Sequence, residues 1–111
     1  MKPKIIEKRK GPERIIQDAF NERLIKRKWS IRDTHGSMYQ HGFPDTFACH
    51  MSFGSRWIEY KNPNHFVFTP AQLIYFPELN SHGVGVWIIV RDTEDEYKKL
   101  FLPQNWYTYL T

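Results

Sequence analysis

Residues 42–61 read GFPDTFACHMSFGSRWIEYK and contain the pattern that decides the fold. Residues 46–51 and 56–61 are rich in apolar and aromatic side chains and predict two strands. Residues 52–55 (Ser-Phe-Gly-Ser) predict the turn that joins them. This stretch is therefore predicted to be a β-hairpin that follows Gly-Phe-Pro-Asp and ends in Glu-Tyr-Lys.

The hairpin can bring two carboxylates and one ammonium group together. Side chains alternate along a strand, so Glu59 and Lys61 project from the same face. If Met51 pairs near Arg56, Asp45 falls beside Lys61 or the residue after it, close to Glu59. Cross-strand neighbours lie roughly 5 Å apart. The spacing therefore predicts that Asp45 and Glu59 can share one cation, with Lys61 alongside.

Two carboxylates and a lysine are a suitable set for metal-assisted phosphodiester chemistry. Magnesium favours oxygen ligands and keeps several waters, so Asp45, Glu59 and a substrate phosphate suit it. The metal would polarise the phosphate and lower the pKa of a bound water, while Lys61 would orient that water or neutralise charge. The alternative is that Glu59 and Lys61 form ordinary ion pairs on an exposed strand.

The rest of the chain predicts helices and strands around this hairpin. Apolar residues at helical spacing predict a helix over residues 12–28, and residues 29–33 predict a short strand. Thr69-Pro70-Ala71-Gln72 has the residues of a capping box, and Pro77 is expected to end or kink the helix that follows within two turns. Residues 84–90 predict a buried strand, and Thr93 with Glu96 predicts a second capping box. The order helix, strand, strand, strand, helix, strand, helix indicates an α/β fold with a mixed sheet.

Positive charge is concentrated at the N-terminal end. Residues 1–32 contain eleven Lys and Arg against four Asp and Glu, and the remainder contains five against eight. This asymmetry favours a polyanionic partner, with nucleic acid first, although a solvated basic helix with a polar tail explains it equally well. The candidates for contact with DNA phosphates are Lys10, Arg14, Lys26 and Arg56, each with solvated charge as the alternative.

The chain of 111 residues is long enough for one domain, predicted at residues 12–111 behind a basic, flexible arm at residues 1–11. No apolar run reaches the roughly 18 residues of a membrane span, and the charged N-terminus does not resemble a signal peptide, so a soluble, cytoplasmic protein is expected. The single cysteine, Cys49, excludes an internal disulfide. The histidine spacing does not favour zinc.

The quoted motifs resemble those of a known nuclease group. Gly-Phe-Pro-Asp, Trp-Ile-Glu-Tyr-Lys and the later Thr-Pro-Ala-Gln are similar to the motifs of the PD-(D/E)xK superfamily. Within it they resemble the VRR-NUC group, which is related to Holliday-junction resolvases. The resemblance covers about residues 12–100 and implies a restriction-endonuclease-like core, a central mixed sheet flanked by helices in the order αβββαβ.

The resemblance also implies roles for individual residues. Asp45 and Glu59 would bind Mg²⁺ or Mn²⁺ with the backbone carbonyl of Tyr60, and Lys61 would be the catalytic lysine. Glu13 would be the first-helix acid that supports the metal, although an acid is favoured in a first helical turn by the dipole alone. The position of Gln72 implies contact with a water or the phosphate, and the alternative for it is a purely structural cap.

The resulting hypothesis is a Mg²⁺-dependent endodeoxyribonuclease. Two active sites in a C2 homodimer would suit symmetric cleavage of a four-way (Holliday) junction, and flaps or nicked DNA are alternative substrates. The resemblance, which includes stand-alone domains of phages and bacteria, implies the cytoplasm of a bacterium or a phage-infected host. Two alternatives remain, a non-catalytic DNA-binding module with this fold and a basic interaction protein whose acid pair is coincidental.

Overall fold

The structure, a computed structural model, describes residues 11–34 and 42–110. The predicted order of helices and strands is confirmed, while the predicted arm at residues 1–11 lies outside these ranges except for Gly11. None of the described helices combines the length and the apolarity that crossing a membrane requires. The elements are α1 (Pro12–Lys26), β1 (Ser30–Asp33), β2 (Thr46–His50), β3 (Gly54–Tyr60), α2 (Pro70–Ser81), β4 (Val86–Ile89) and α3 (Glu94–Lys98), followed by 3₁₀ turns at Lys99–Phe101 and Trp106–Tyr109.

The four strands form one mixed sheet, as predicted, and they lie in the order β1-β2-β3-β4. Strand β2 is antiparallel to both β1 and β3, and β4 runs parallel to β3. A parallel pair needs a crossover connection, and α2 lies in the segment that connects β3 to β4. The sheet therefore has a hairpin on one side and a βαβ unit on the other.

The predicted register of the hairpin is wrong. Thr46 lies opposite Ile58 and His50 lies opposite Gly54, so one further step places Asp45 opposite Glu59 rather than beside Lys61. The loop contains only three residues, and Gly54, the first residue of β3, follows it with φ 82°. In three-residue hairpin loops the turn is typically followed by a residue in this left-handed conformation, which glycine adopts without strain. The corrected register brings the two carboxylates closer than the predicted one.

The two faces of the sheet bury different cores. On one, called here the α1 face, Ala48, Ile58, Tyr60 and Ile89 pack against α1 and α3. On the other, called the α2 face, Val86, Ile88 and Val90 pack against α2 and the C-terminal 3₁₀ turn. Because side chains alternate, Glu59 and Lys61 belong to the α2 face.

Helix α1 packs one stripe of its predicted apolar residues on the sheet. Phe20 and Leu24 are fully buried. Ile15 and Ile25 are apolar residues of the same helix but are more than half exposed at 57% and 58%, because the helix turns by about 100° per residue and so points them away from the direction that Phe20 and Leu24 share. The helix ends at Lys26, two residues before the predicted end.

The capping box of α2 is confirmed. The Thr69 hydroxyl accepts a hydrogen bond from the Gln72 N–H at 3.1 Å, and Gln72 Oε1 accepts one from the Thr69 N–H at 3.0 Å. These two bonds satisfy donors that a helix N-terminus otherwise leaves unpaired. Gln72 is thereby fixed in the first turn of α2.

Pro77 does not end α2, so the prediction that the helix stops within two turns is wrong. The helix continues to Ser81. Pro77 is exposed, and Leu73, whose carbonyl loses its helical donor at the proline, is 48% exposed. Water can bond that carbonyl, while the fully buried Phe76 holds the helix on the sheet.

The second predicted capping box forms only in part. The Thr93 hydroxyl accepts a hydrogen bond from the Glu96 N–H at 3.2 Å. The Glu96 carboxylate does not return to Thr93: it accepts a hydrogen bond from the Val90 N–H at 2.8 Å and pairs with Lys99. An amide just after the end of β4 thus takes the acceptor that the capping box would have used.

Candidate active site

Asp45 is held by a tight loop just before β2. Gly42 has φ 82°, and a Cβ atom there would lie 2.6 Å from the Ala71 carbonyl oxygen, so only glycine lets the loop pass this close to α2. Pro44 is fully buried. The Tyr60 N–H donates a hydrogen bond to Asp45 Oδ2 at 2.7 Å. The loop is therefore fixed against both α2 and β3.

Glu59, Lys61 and Gln72 form a buried network next to it. Lys61 Nζ lies 3.2 Å from Glu59 Oε2, and it donates hydrogen bonds to Gln72 Oε1 at 2.9 Å and to the Val67 carbonyl at 2.6 Å. Gln72 Nε2 donates to Glu59 Oε2 at 2.7 Å. The exposed fractions of Glu59, Lys61 and Gln72 are 3%, 4% and 7%. Gln72 therefore orients both charged groups in addition to capping its helix.

The carboxyl group of Glu59 has an unusual electrostatic environment. Burial, and then the negative charge of Asp45, raise its pKa from 4.5 to about 8, although Lys61 and Gln72 act in the opposite direction. Burial also raises the pKa of Asp45, and the Tyr60 N–H and the Lys61 charge oppose this change. The two acids are therefore coupled and compete for ionisation.

One carboxylate oxygen of Glu59 has no hydrogen-bond donor among the residues that the structure describes. Gln72 and Lys61 both contact Oε2 of Glu59, whereas the buried Oε1 has no partner in the described part of the chain. The negative charge of Asp45 raises the pKa of Glu59, so the two carboxyl groups lie near each other. An ionised carboxylate oxygen buried without a partner is costly. A shared proton or a bound cation would remove that cost.

Glu13 lies beside this pair rather than within it. Its carboxylate is in the exposed first turn of α1 and accepts a long hydrogen bond of 3.4 Å from the Asn62 N–H. Its charge is near enough to raise the pKa of Asp45. Within residues 11–34 and 42–110, no three His, Cys, Asp or Glu side chains converge to hold a metal ion. The supporting role of Glu13 stays a prediction.

The side chain of Tyr60 lies on the opposite side of the sheet from the site. The phenol lies on the α1 face, where its hydroxyl donates to Asn21 Oδ1 at 2.7 Å, and burial raises its pKa well above the usual value. Only the main chain of Tyr60 is therefore on the side of Asp45, which its N–H already contacts. Its carbonyl as a metal ligand stays a prediction.

The backbone arrangement matches a solved structure described as "VRR_NUC domain". The match has a TM-score of 0.64 and covers 82% of this chain and 96% of that chain, at 19% sequence identity. The chain has the VRR-NUC fold. No family model and no curated protein matches the sequence, so the likeness concerns the fold, which is nuclease-like.

Within this VRR-NUC fold, the predicted DNA-contacting residues occupy different places. Lys10 lies outside the described residues, and Arg14 and Lys26 are exposed on α1. Arg56 donates a hydrogen bond of 2.7 Å to the Leu100 carbonyl and is half-buried on the α1 face. It therefore lies on the face opposite Asp45 and Glu59. Contact of these residues with DNA stays a prediction.

A polar cluster under α1 was not predicted from the sequence. Asp33 Oδ1 accepts hydrogen bonds from Gln17 at 3.0 Å, Asn21 at 2.9 Å and Thr46 at 2.6 Å. Burial raises the pKa of Asp33, but these three bonds outweigh it and lower the pKa overall. The cluster joins α1 to β1 and β2 next to Asp45. Gln17 and Asn21, one turn apart and flanking apolar Phe20, were the signal that could have revealed it.

Proposed function

We propose that this protein is a metal-dependent nuclease that hydrolyses phosphodiester bonds in DNA. The observation that carries the proposal is the Asp45–Glu59 pair, two neighbouring carboxyl groups beside the ammonium of Lys61. One buried oxygen of Glu59 has no donor among the described residues. The nuclease-like fold and the eleven Lys and Arg of residues 1–32 support it.

The residues present fit a hard divalent cation. Asp45 and Glu59 would hold Mg²⁺ or Mn²⁺ through oxygen, the Tyr60 carbonyl would add a ligand, and Glu13 would act through a water. Magnesium is commonly held by one or two carboxylates with waters and substrate oxygens, so the lack of a third converging side chain in the described ranges is compatible with it. When bound, the ion supplies an activated water and neutralises phosphate charge.

Gln72 and Lys61 have distinct roles in this proposal. Gln72 holds Oε2 of Glu59 with its amide N–H and holds Lys61 with its amide oxygen, so it keeps Oε1 of Glu59 available. The three contacts of Lys61 (Glu59, Gln72 and Val67) account for its three N–H donors. If a bound cation drew Glu59 away from Lys61, one N–H donor of Lys61 would be free to stabilise the charge that develops on the phosphate.

The DNA structure that is cut is the finer part of this proposal. The sequence motifs resemble those of Holliday-junction resolvases, so we propose that DNA shape directs cleavage. A homodimer with two sites would cut a Holliday junction symmetrically; flaps and nicked DNA are the alternative substrates. Sedimentation tests this finer proposal, because a strict monomer at micromolar concentration would exclude paired incision.

Cleavage of plasmid, four-way-junction and flap DNA with and without Mg²⁺ tests the proposed function. The informative variants are Asp45→Asn and Gln72→Ala, with Glu78→Gln, an exposed acid on α2, as the matched control. We expect metal-dependent cleavage that Asp45→Asn abolishes, Gln72→Ala weakens and Glu78→Gln leaves intact. Salt-dependent DNA binding without metal-dependent cleavage would favour the non-catalytic module instead.

A further inference from the structure

Two aromatic rings lie next to the carboxyl pair on the α2 face. Phe47 lies on β2, two residues after Asp45. Trp57 lies on β3, two residues before Glu59. Phe47 and Trp57 are directly paired across the strands, and their ring centroids are 5.0 Å apart. Because side chains alternate, this aromatic pair shares the face of the acid pair and lies about 7 Å from it along each strand.

These rings are only partly covered. Phe43 packs against Trp57 and Tyr75 with ring centroids 5.3 Å and 5.1 Å apart, which makes a cluster of four half-buried rings. We call Phe43, Phe47, Trp57 and Tyr75 the aromatic platform. Helix α2 buries its fully covered Phe76 against the β4 side of the sheet instead. A hollow of about 240 Å³ lies beside Trp57.

The platform also has a cation at its edge. Arg32 is paired with Phe47 across β1 and β2, so it lies on the same face. It is exposed, and within residues 11–34 and 42–110 it forms no ion pair. Rings that offer a π surface, next to a cation that follows the backbone, are the combination with which proteins bind single-stranded nucleic acid.

We propose that the aromatic platform stacks unpaired nucleobases of the DNA strand held at Asp45 and Glu59. The proposal rests on the proposed function and specifies its substrate. About 7 Å spans roughly two stacked bases of about 3.4 Å each, so the stacked bases would be one or two nucleotides from the scissile phosphate. The protein would then prefer DNA whose bases next to the cut are unpaired, as in flaps, gaps and open junction centres.

A purely structural role of the rings makes a different prediction. Phe43 contacts Trp57 and Tyr75 and could serve only to anchor the loop that carries Asp45. Among the described residues, the ring of Phe47 contacts that of Trp57 alone, so replacing Phe47 leaves both contacts of Phe43 in place. Phe47 is therefore the residue that separates base stacking from loop anchoring.

The test compares two single-stranded oligonucleotides of equal length in EDTA, one with all its bases and one with a central abasic run. For the full-length protein, we expect Phe47→Ala to weaken binding of the intact strand about 10-fold and to leave binding of the abasic strand unchanged. Phe47→Leu, which keeps apolar volume in the sheet, should show a smaller loss with the same base dependence. Arg32→Gln should weaken both strands and reduce the salt dependence of binding.

If Phe47→Ala lowers the affinity for both strands equally, or for neither, the proposed base stacking on the aromatic platform is wrong. Thermal melting of each variant identifies misfolding, and Phe47→Leu replaces Phe47→Ala if the latter unfolds. Cleavage of plasmid with Mg²⁺ reports on the proposed function separately. Wild type that cuts DNA but binds both strands equally refutes the platform alone, whereas wild type that discriminates the strands but cuts nothing refutes the nuclease.

Discussion

The carboxyl group of Glu59 should make the native state less stable as pH rises. Its pKa of about 8 in the folded chain, against an ordinary 4.5, means that the folded protein binds this proton more tightly than the unfolded chain. The stabilisation is complete below the unfolded pKa and is lost as pH rises through the folded pKa. The free energy involved is at most about 5 kcal/mol between these limits.

Glu59→Gln isolates this effect, because a neutral amide of the same shape mimics the protonated acid. Below the ordinary pKa of 4.5 the stability of the two proteins should depend on pH in the same way. Between that pKa and the folded pKa of about 8, wild type should lose about 1.4 kcal/mol per pH unit relative to the variant. Toward about pH 9 the variant should become more stable than wild type by several kcal/mol, while it should fail to cleave DNA. At high pH the ionised Glu59 lowers the stability of wild type, and a bound cation would restore it. Mn²⁺ should therefore stabilise wild type at high pH and should not stabilise the variant.

Urea unfolding of both proteins at about pH 5, 7 and 9 measures this difference in the free energy of unfolding. The difference in the free energy of unfolding between the two proteins excludes the contributions of other titrating groups, because both proteins share those groups. Glu78→Gln, which removes an exposed acid on α2, should not reproduce the trend. A difference between wild type and Glu59→Gln that stays constant across this pH range would refute the argument.

Three further predictions concern the residues around the site. Lys61→Met should lower the cleavage rate about 100-fold or more with Mn²⁺ binding preserved, and calorimetry beside a cleavage assay checks both; unchanged cleavage would exclude Lys61 from the chemistry. Gly42→Ala should destabilise the fold by about 2 kcal/mol or more, because the new Cβ would lie 2.6 Å from the Ala71 carbonyl oxygen. If urea unfolding shows no loss of stability, the loop can shift to accommodate the Cβ and this reasoning is wrong. Thr69→Ala should cost about 1 kcal/mol by opening the capping box, and Thr69→Ser, which keeps the hydroxyl, is its control.

Local sequence rules predicted the features that depend on neighbouring residues. The capping box of Thr69 and Gln72 requires only two side chains three positions apart, and it forms as predicted. The order of elements and the mixed sheet follow from apolar periodicity and from connection lengths. The shared face of Glu59 and Lys61 follows from strand alternation alone.

Features that depend on contacts between distant parts of the chain could not be predicted from the local sequence. The hairpin register was predicted wrongly, because a three-residue loop closed by Gly54 in the left-handed conformation cannot be distinguished by composition from a four-residue turn. Pro77 was expected to end α2, but the helix continues because Phe76 is buried against the sheet. Glu96 bonds the Val90 amide instead of closing a capping box, and that amide reaches it only in the folded chain.

The residues of the candidate site could be predicted from the sequence, but their electrostatic properties could not. The resemblance pointed to Asp45, Glu59, Lys61 and Gln72, and the structure brings these four side chains to one end of the α2 face. The unpartnered Oε1 of Glu59 and the pKa of about 8 result from burial by residues far apart in sequence. They are therefore properties of the packed fold and could not be derived from motif spacing.

The claim that Asp45 and Glu59 bind a divalent cation is tested most directly by anomalous diffraction from a crystal soaked in Mn²⁺ at about pH 8, near the pKa of Glu59. We predict an anomalous peak between the two carboxylates, with Oε1 of Glu59 among its ligands. Ordered carboxylates in a map with no peak between them would contradict the central claim.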